Sequence, residues 1–220
     1  MPFNPLQLLG LVLIVGLLLA FVQVGILTIA FEKLGLSSHS AFTLLFASLF
    51  GSVVNLPVMK VKAERPSLES IPEQLREVMT QALRKFQGQT IIAVNAGGCL
   101  IPLMFSYYLI HINQLDAFKI VAATFIVAAI SRWTSRPIPG VGIGMPVFIA
   151  PVVAAITAMG IDPEHSAPLA YICGTLGVLI GADLLRLKDV RKMGVPVASI
   201  GGAGTFDGIF ITGIVAVLLA

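Results

Sequence analysis

The hydrophobic positions of the chain fall into long apolar runs, separated by short polar or breaker-rich stretches. Leu8 to Phe31 is long enough for a tilted membrane-spanning helix, since about 20 apolar residues cross a hydrocarbon core of about 30 Å. Glu32 and Lys33 close this run, and Leu36-Ser-Ser-His-Ser supplies a turn with helix-capping hydroxyls. Ala41 to Val58 predicts a second span with Gly51, Ser52 and Asn55 along one polar edge. Its short length and Asn-Leu-Pro ending leave a re-entrant segment as the alternative. Five more spans are predicted at Thr90 to Ile110, Phe118 to Ile130, Met145 to Met159, Ala167 to Leu185 and Val197 to Ala220. The third is broken by Asn95-Ala-Gly-Gly and Pro102, and the fourth and fifth fall short of the usual length. Between those two, Ser131 to Pro146 is dense in proline and glycine. The expected fold is all-α and integral to a membrane, with about seven transmembrane helices, some short or broken by Gly and Pro.

One hydrophilic stretch of any length interrupts this pattern, from Lys60 to Thr90. Within it Ile71, Leu75, Val78, Met79, Ala82, Leu83 and Phe86 recur at helical spacing, while Arg76, Glu77, Arg84 and Lys85 take the other face. That predicts an amphipathic helix lying at the membrane surface. The chain thus divides into a two-span hairpin (1–58), a cytoplasmic linker with the surface helix (59–89) and a five-span, glycine-rich core (90–220).

Composition sharpens the membrane reading. Hydrophobic residues make up 57% of the 220 and charged residues 11%, where a soluble domain carries about a quarter charged. Apart from Lys33 and Lys119, the 14 Lys and Arg residues all lie in the 60–85 stretch, at Arg132 and Arg136, or between Arg186 and Lys192, which makes 12. Those three places fall on one side of a seven-span chain. The asymmetry predicts a cytoplasmic (inner) membrane protein with its N-terminus inside and its C-terminus outside. Basic residues so dispersed among apolar runs argue against nucleic acid as a partner. The first apolar run has no basic residue before it and no clear cleavage site, so it is expected to remain as a helix. Cys99 and Cys173 both sit in apolar runs, and no Cys/His spacing suggests a metal site, so neither a disulfide scaffold nor a metal or other cofactor is expected.

Several motifs stand out: Asn95-Ala-Gly-Gly, Ser135-Arg-Pro-Ile-Pro-Gly, Ala170-Tyr-Ile-Cys-Gly-Thr-Leu-Gly with Ile180-Gly-Ala-Asp-Leu-Leu, and Ser199-Ile-Gly-Gly-Ala-Gly-Thr-Phe-Asp-Gly-Ile-Phe. In these motifs the chain resembles the bacterial and archaeal membrane proteins grouped as domain of unknown function 1614, over most of its length from about residue 90. The resemblance brings no established activity, so function has to be argued from the residues.

Two acids lie inside apolar, glycine-rich runs. Asp207 falls ten residues into the last run, about 15 Å deep at 1.5 Å per residue. An acid at that depth costs several kcal/mol unless paired, protonated or wet, and reads as functional by default. Gly201, Gly202, Gly204 and Thr205 precede it, a poor helical sequence that is expected to unwind. Tyr171, Thr175 and Asn95 are candidate neighbours, and Arg136 is a possible basic partner if its loop folds inward. Asp183 lies nearer a span end and is expected to pair with Arg186 at i+3. Gly177-xxx-Gly181 and Gly204-xxx-Gly208 predict close helix packing. Three functions fit: a small ion-coupled transporter or permease centred on Asp207, an intramembrane aspartyl hydrolase using Asp183 and Asp207, or a non-catalytic assembly protein. The expected partners are the lipid bilayer, a small solute or cation, and a second copy of the chain.

Overall fold

The computed structural model describes residues 25–64, 86, 88–202 and 208–220, and element labels follow their order there. A helix over Gly25–Lys33 (α1) bends through 112° into Ser38–Gly51 (α2). Gly35 makes the turn at φ +74°, and the Ser37 hydroxyl starts the new helix by accepting from Ser40 N–H at 3.2 Å. The chain then becomes extended. Strand β1 (Asn55–Lys62) runs antiparallel to β2 (Gln89–Asn95), and β2 passes through one π-helical turn, Ala96–Leu100, into α3 (Ile101–Ile112). Helix α4 (Ala117–Thr134) opens on Asp116, whose carboxylate accepts from Phe118 N–H at 2.6 Å. A small hairpin follows, β3 (Arg136–Ile138) with β4 (Gly142–Gly144), and then α5 (Ile149–Ile161). Helix α6 (Ser166–Val178) runs into a second π turn, Leu179–Asp183. Last come β5 (Val197–Ile200), parallel to β2, and α7 (Gly208–Leu219).

The core is built around α6, where every residue from Pro168 to Thr175 is buried. Helices α3, α4, α5 and α7 pack against it, and small residues let them close in. A Cβ on Gly177 would lie 2.5 Å from Val127 Cγ1, and one on Gly181 would lie 2.9 Å from Ser131 Cβ and overlap the Ala128 carbonyl. Gly174 fits between Thr212 and Ala154. The Gly177-xxx-Gly181 pair is therefore the seat of α4, as its spacing predicts. Outward, α4 shows Phe118, Val121, Phe125 and Trp133, the last 82% exposed. Inward, it shows Ala123, Val127, Ala128 and Ser131. Large apolar groups thus lie on the outer face of α4 and small groups on its inner face, an arrangement compatible with a lipid surrounding.

Among the described residues two helices are long and apolar enough to cross a membrane, Ala117–Thr134 and the mostly buried Pro163–Arg186; the bent pair α1–α2 would make a third. The fold is mostly helical as expected, but the strands correct the all-α expectation, and the described residues do not confirm seven spans. The second predicted span stops as a helix at Gly51, and its tail is β1. The third begins as β2, the fifth is a 13-residue helix, and the seventh begins as β5. Thr90, Ile91, Ile92 and Val94 favour an extended backbone through their branched Cβ, and Gly88 at φ +73° starts that strand. The first apolar run before Gly25 and the amphipathic segment from 71 to 85 lie outside the described residues. Phe86, its last apolar position, is buried.

Hydrogen bonds tie the loops together at two opposite ends. At one, the Arg186 guanidinium donates to the carbonyls of Arg132, at 2.8 Å, and Ser135, and so caps the C-terminus of α4. Gly140 N–H donates to Met193 O and Glu64 N–H to Arg191 O, both at 2.7 Å. The segments carrying Lys62, Arg132, Arg136, Arg186 and Arg191 thus meet. At the other end Lys119 pairs with Asp162 at 3.0 Å, and Lys33 donates to the carbonyls of Val217 and Leu218.

Candidate functional site

Parallel pairing of β2 with β5 sets Ile91 against Val197 and Val94 against Ile200. Both strands therefore finish side by side, each at a glycine turn that leads to a helix: Asn95-Ala-Gly-Gly before α3, and Gly201-Gly202 on the way to α7. The functional geometry is assembled where these two turns meet the π turn at the end of α6.

Asn95 is fully buried and acts as a knot. Its Oδ1 accepts from Gly98 N–H at 2.7 Å, and its Nδ2 donates to Ser52 O at 2.6 Å and to Asn55 Oδ1 at 3.1 Å. Asn55 Oδ1 also accepts from the Ser199 hydroxyl. One amide thereby joins the end of α2, the start of β1 and the first turn before α3. Both polar atoms of this buried side chain are thus hydrogen-bonded within the protein.

Gly201 sits at the crossing point. It adopts φ +83° and is followed by Gly202 at φ +89°, a left-handed pair that residues with a Cβ rarely adopt. A Cβ on Gly201 would lie 2.7 Å from both Cβ and N of Cys99, and a Cβ on Gly98 would overlap the Gly201 carbonyl. Gly201 N–H donates to Asp183 Oδ2 at 2.9 Å. Asp183 is the last residue of the π turn, where one extra residue per turn swings the side chain off the regular helical face. Its carboxylate is half-buried and stands in the wall of a cavity of about 210 Å³. Ser199 and Gly202 also line it, together with Ile143, Val190 and Met193.

The other expected site residues fall elsewhere. Arg186 pairs with Asp189 at 3.1 Å rather than with Asp183, because the π turn carries Asp183 toward Gly201. Tyr171 and Thr175 are buried in the α6 core against Gly213, with Tyr171 edge-on to Phe105 at 5.0 Å, and neither lines the cavity. Arg136 is exposed at the start of β3. Gly204, Thr205 and Asp207 lie outside the described residues. Ser199 and the apolar wall residues Val141, Ile143, Val190, Met193 and Val195 carry no distinctive chemistry in sequence. Among the described residues no group of three or more His, Cys, Asp or Glu is placed to hold a metal ion.

These features define a mostly helical protein with, among the described residues, two helices suited to crossing a membrane, a small mixed sheet at one end, and a cavity beside that sheet with Asp183 in its wall. The chain belongs to the family described as Protein of unknown function (DUF1614), whose model matches residues 49–219. No curated protein and no solved structure matches it.

Proposed function

We propose that the protein is a small ion-coupled permease of the cytoplasmic membrane, with its solute site in the cavity beside Asp183. The observation that carries this reading is a carboxylate in the cavity wall, held by the backbone N–H of a left-handed glycine pair. An acid set among apolar helices and backed by irregular backbone is the usual equipment of a solute or proton site. The basic loops gathered around that end suit the cytoplasmic side, which puts the C-terminus outside. Asp207 follows Gly201 by six residues and is the second acid of the proposal. A chain of 220 residues would work as a homodimer in the bilayer.

Reconstituted vesicles test it. Protein-dependent uptake of small cationic or zwitterionic solutes is expected, collapsed by a protonophore and slowed at least about tenfold by Asp183→Asn, as loss of a half-buried charge contact predicts. Equal uptake by Asp183→Asn overturns the assignment. So do vesicles no more permeable than protein-free ones to amines, amino acids and short peptides.

A further inference from the structure

One wall of the cavity is formed by β5, which among the described residues is the edge strand of its sheet. In a parallel pair, successive residues turn their N–H and C=O groups to opposite edges. Ile91 N–H donates to Pro196 O at 3.0 Å, and Ile91 is in register with Val197. Pro196, Ala198 and Ile200 therefore turn toward β2, and Val197 and Ser199 turn away from it. Both of these outward-facing residues line the cavity. The next residue in the outward row is Gly201, whose N–H donates to Asp183. The carboxylate thus occupies the place that the carbonyl of a further strand would take. Gly142 and Ile143 of β4 bound the same cavity, and among the described residues no strand pairs with this edge of β5.

We propose that the solute is a short peptide, bound in extended form as an added strand antiparallel to β5, with its N-terminal ammonium at Asp183. This rests on the reading of the Asp183 cavity as the solute site. A row of backbone donors and acceptors facing a cavity is matched group for group by another peptide backbone, which is how strand addition recognises its ligands. A single amine would meet the acid and leave the edge of β5 unpaired. The space suits such a ligand: about 210 Å³ far exceeds the ~10–15 Å³ that one water requires. Three extended residues cover about 10 Å at about 3.4 Å each, most of the way from Val197 to Gly201. Ile143, Val190 and Met193 favour small aliphatic side chains.

Charge sets the direction. The acid stands at the Gly201 end of the edge. At the other end, Val195 leads into β5 from the turn that carries Arg191 and Lys192, both exposed, with Glu64 bonded through its N–H to Arg191 O. One acid against two cations leaves that end positive. An antiparallel peptide places its ammonium at Asp183 and its carboxylate toward Arg191 and Lys192, and the parallel orientation opposes both charges.

The test is calorimetric titration of the full chain in nanodiscs with tri-alanine, N-acetyl-tri-alanine and methylammonium. Tri-alanine should bind, and acetylation should weaken it at least about tenfold by removing the ammonium. Ser199→Pro deletes an outward N–H and no bond to β2. It should weaken tri-alanine at least about tenfold and by clearly more than it weakens methylammonium, while Ser199→Ala, which keeps the N–H, should weaken tri-alanine less than Ser199→Pro does. Hydrogen exchange on the unaltered protein gives the same answer without a variant: tri-alanine should protect the Val197 and Ser199 amides. Methylammonium binding that depends on Asp183, with tri-alanine no tighter or leaving those amides unprotected, overturns strand addition and leaves the acid site standing. Binding of neither probe removes both.

Discussion

Gly201 N–H and the Asp183 carboxylate, 18 positions apart in sequence, are 2.9 Å apart in the fold. The bond fastens the turn after β5 to the π turn that ends α6, and Cys99 closes on the same glycine from the turn before α3. Three irregular segments are therefore positioned through one residue without a side chain.

Gly201→Ala should consequently be among the most damaging small substitutions. The left-handed backbone costs about 1–2 kcal/mol for a residue with a Cβ, and the new methyl would lie 2.7 Å from the Cys99 backbone nitrogen. A melting temperature several degrees lower in detergent is expected. Gly160→Ala is the control, since its Cβ would meet nothing within 4 Å and alanine favours the helix. Equal melting of the two variants would show that the crossing at Gly201 is loose.

Gly181→Ala tests the seat of α4 on α6. The added methyl would overlap the Ala128 carbonyl, a backbone atom that cannot rotate aside. Helix α4 must therefore move outward, at an expected cost of about 1–3 kcal/mol. Gly177→Ala meets Val127 Cγ1 at 2.5 Å and Cβ at 2.6 Å instead; a rotamer change moves Cγ1 but not Cβ, so it relieves only part of the overlap. Gly181→Ala should melt lower than Gly177→Ala; the reverse order would place the main helix contact elsewhere.

Asn95 makes a third, separable prediction. Asn95→Ala removes the cap on Gly98 N–H and strands the buried carbonyl of Ser52, at an expected cost of about 2–4 kcal/mol. Asn95→Asp keeps the oxygen that caps Gly98 but turns the donor facing Ser52 O into a second acceptor, so it should not rescue stability. If the Asp variant melts like wild type, the amide is not the knot described.

What the sequence made legible follows from local patterning. The α4 and α6 spans, the Gly177-xxx-Gly181 packing and the grouping of basic loops are each written within a stretch of a few turns. The strands were not legible in the same way. Short β-branched runs such as Thr90 to Val94 look alike whether they extend or open a helix, and hydrophobic periodicity does not separate the two. Two copies of one local pattern, a β-branched run ending in a Gly-Gly turn, are present at 90–98 and 197–202, but their pairing spans more than 100 positions. Asp183 was visible as an acid in an apolar run. Its partner was not, because a regular helix aims it toward Arg186 and only the π turn redirects it to Gly201.

The far end of the bundle should respond to acid. Asp162, in the turn between α5 and α6, is 5% exposed, with Lys119 Nζ at 3.0 Å and His165 Nδ1 at 3.5 Å. The hydrogen bond from Lys119, reinforced by His165 and by both charges, holds the Asp162 carboxyl below its ordinary value despite the opposing effect of burial. The folded protein therefore binds this proton more weakly than the unfolded chain. Stability from the group is complete above the unfolded pKa of about 3.9 and is lost as pH falls below it toward the lower, folded value. Lys119 is 40% exposed on its side chain, so water screens the pair and the contribution is at most about 1 kcal/mol. Thermal melts between pH 7 and pH 3 should show wild type losing more stability at the acid end than Asp162→Asn, which should start lower and follow a flatter course there. Parallel pH curves for the two proteins would show that Lys119 and Asp162 do not hold α4 to the α5–α6 turn.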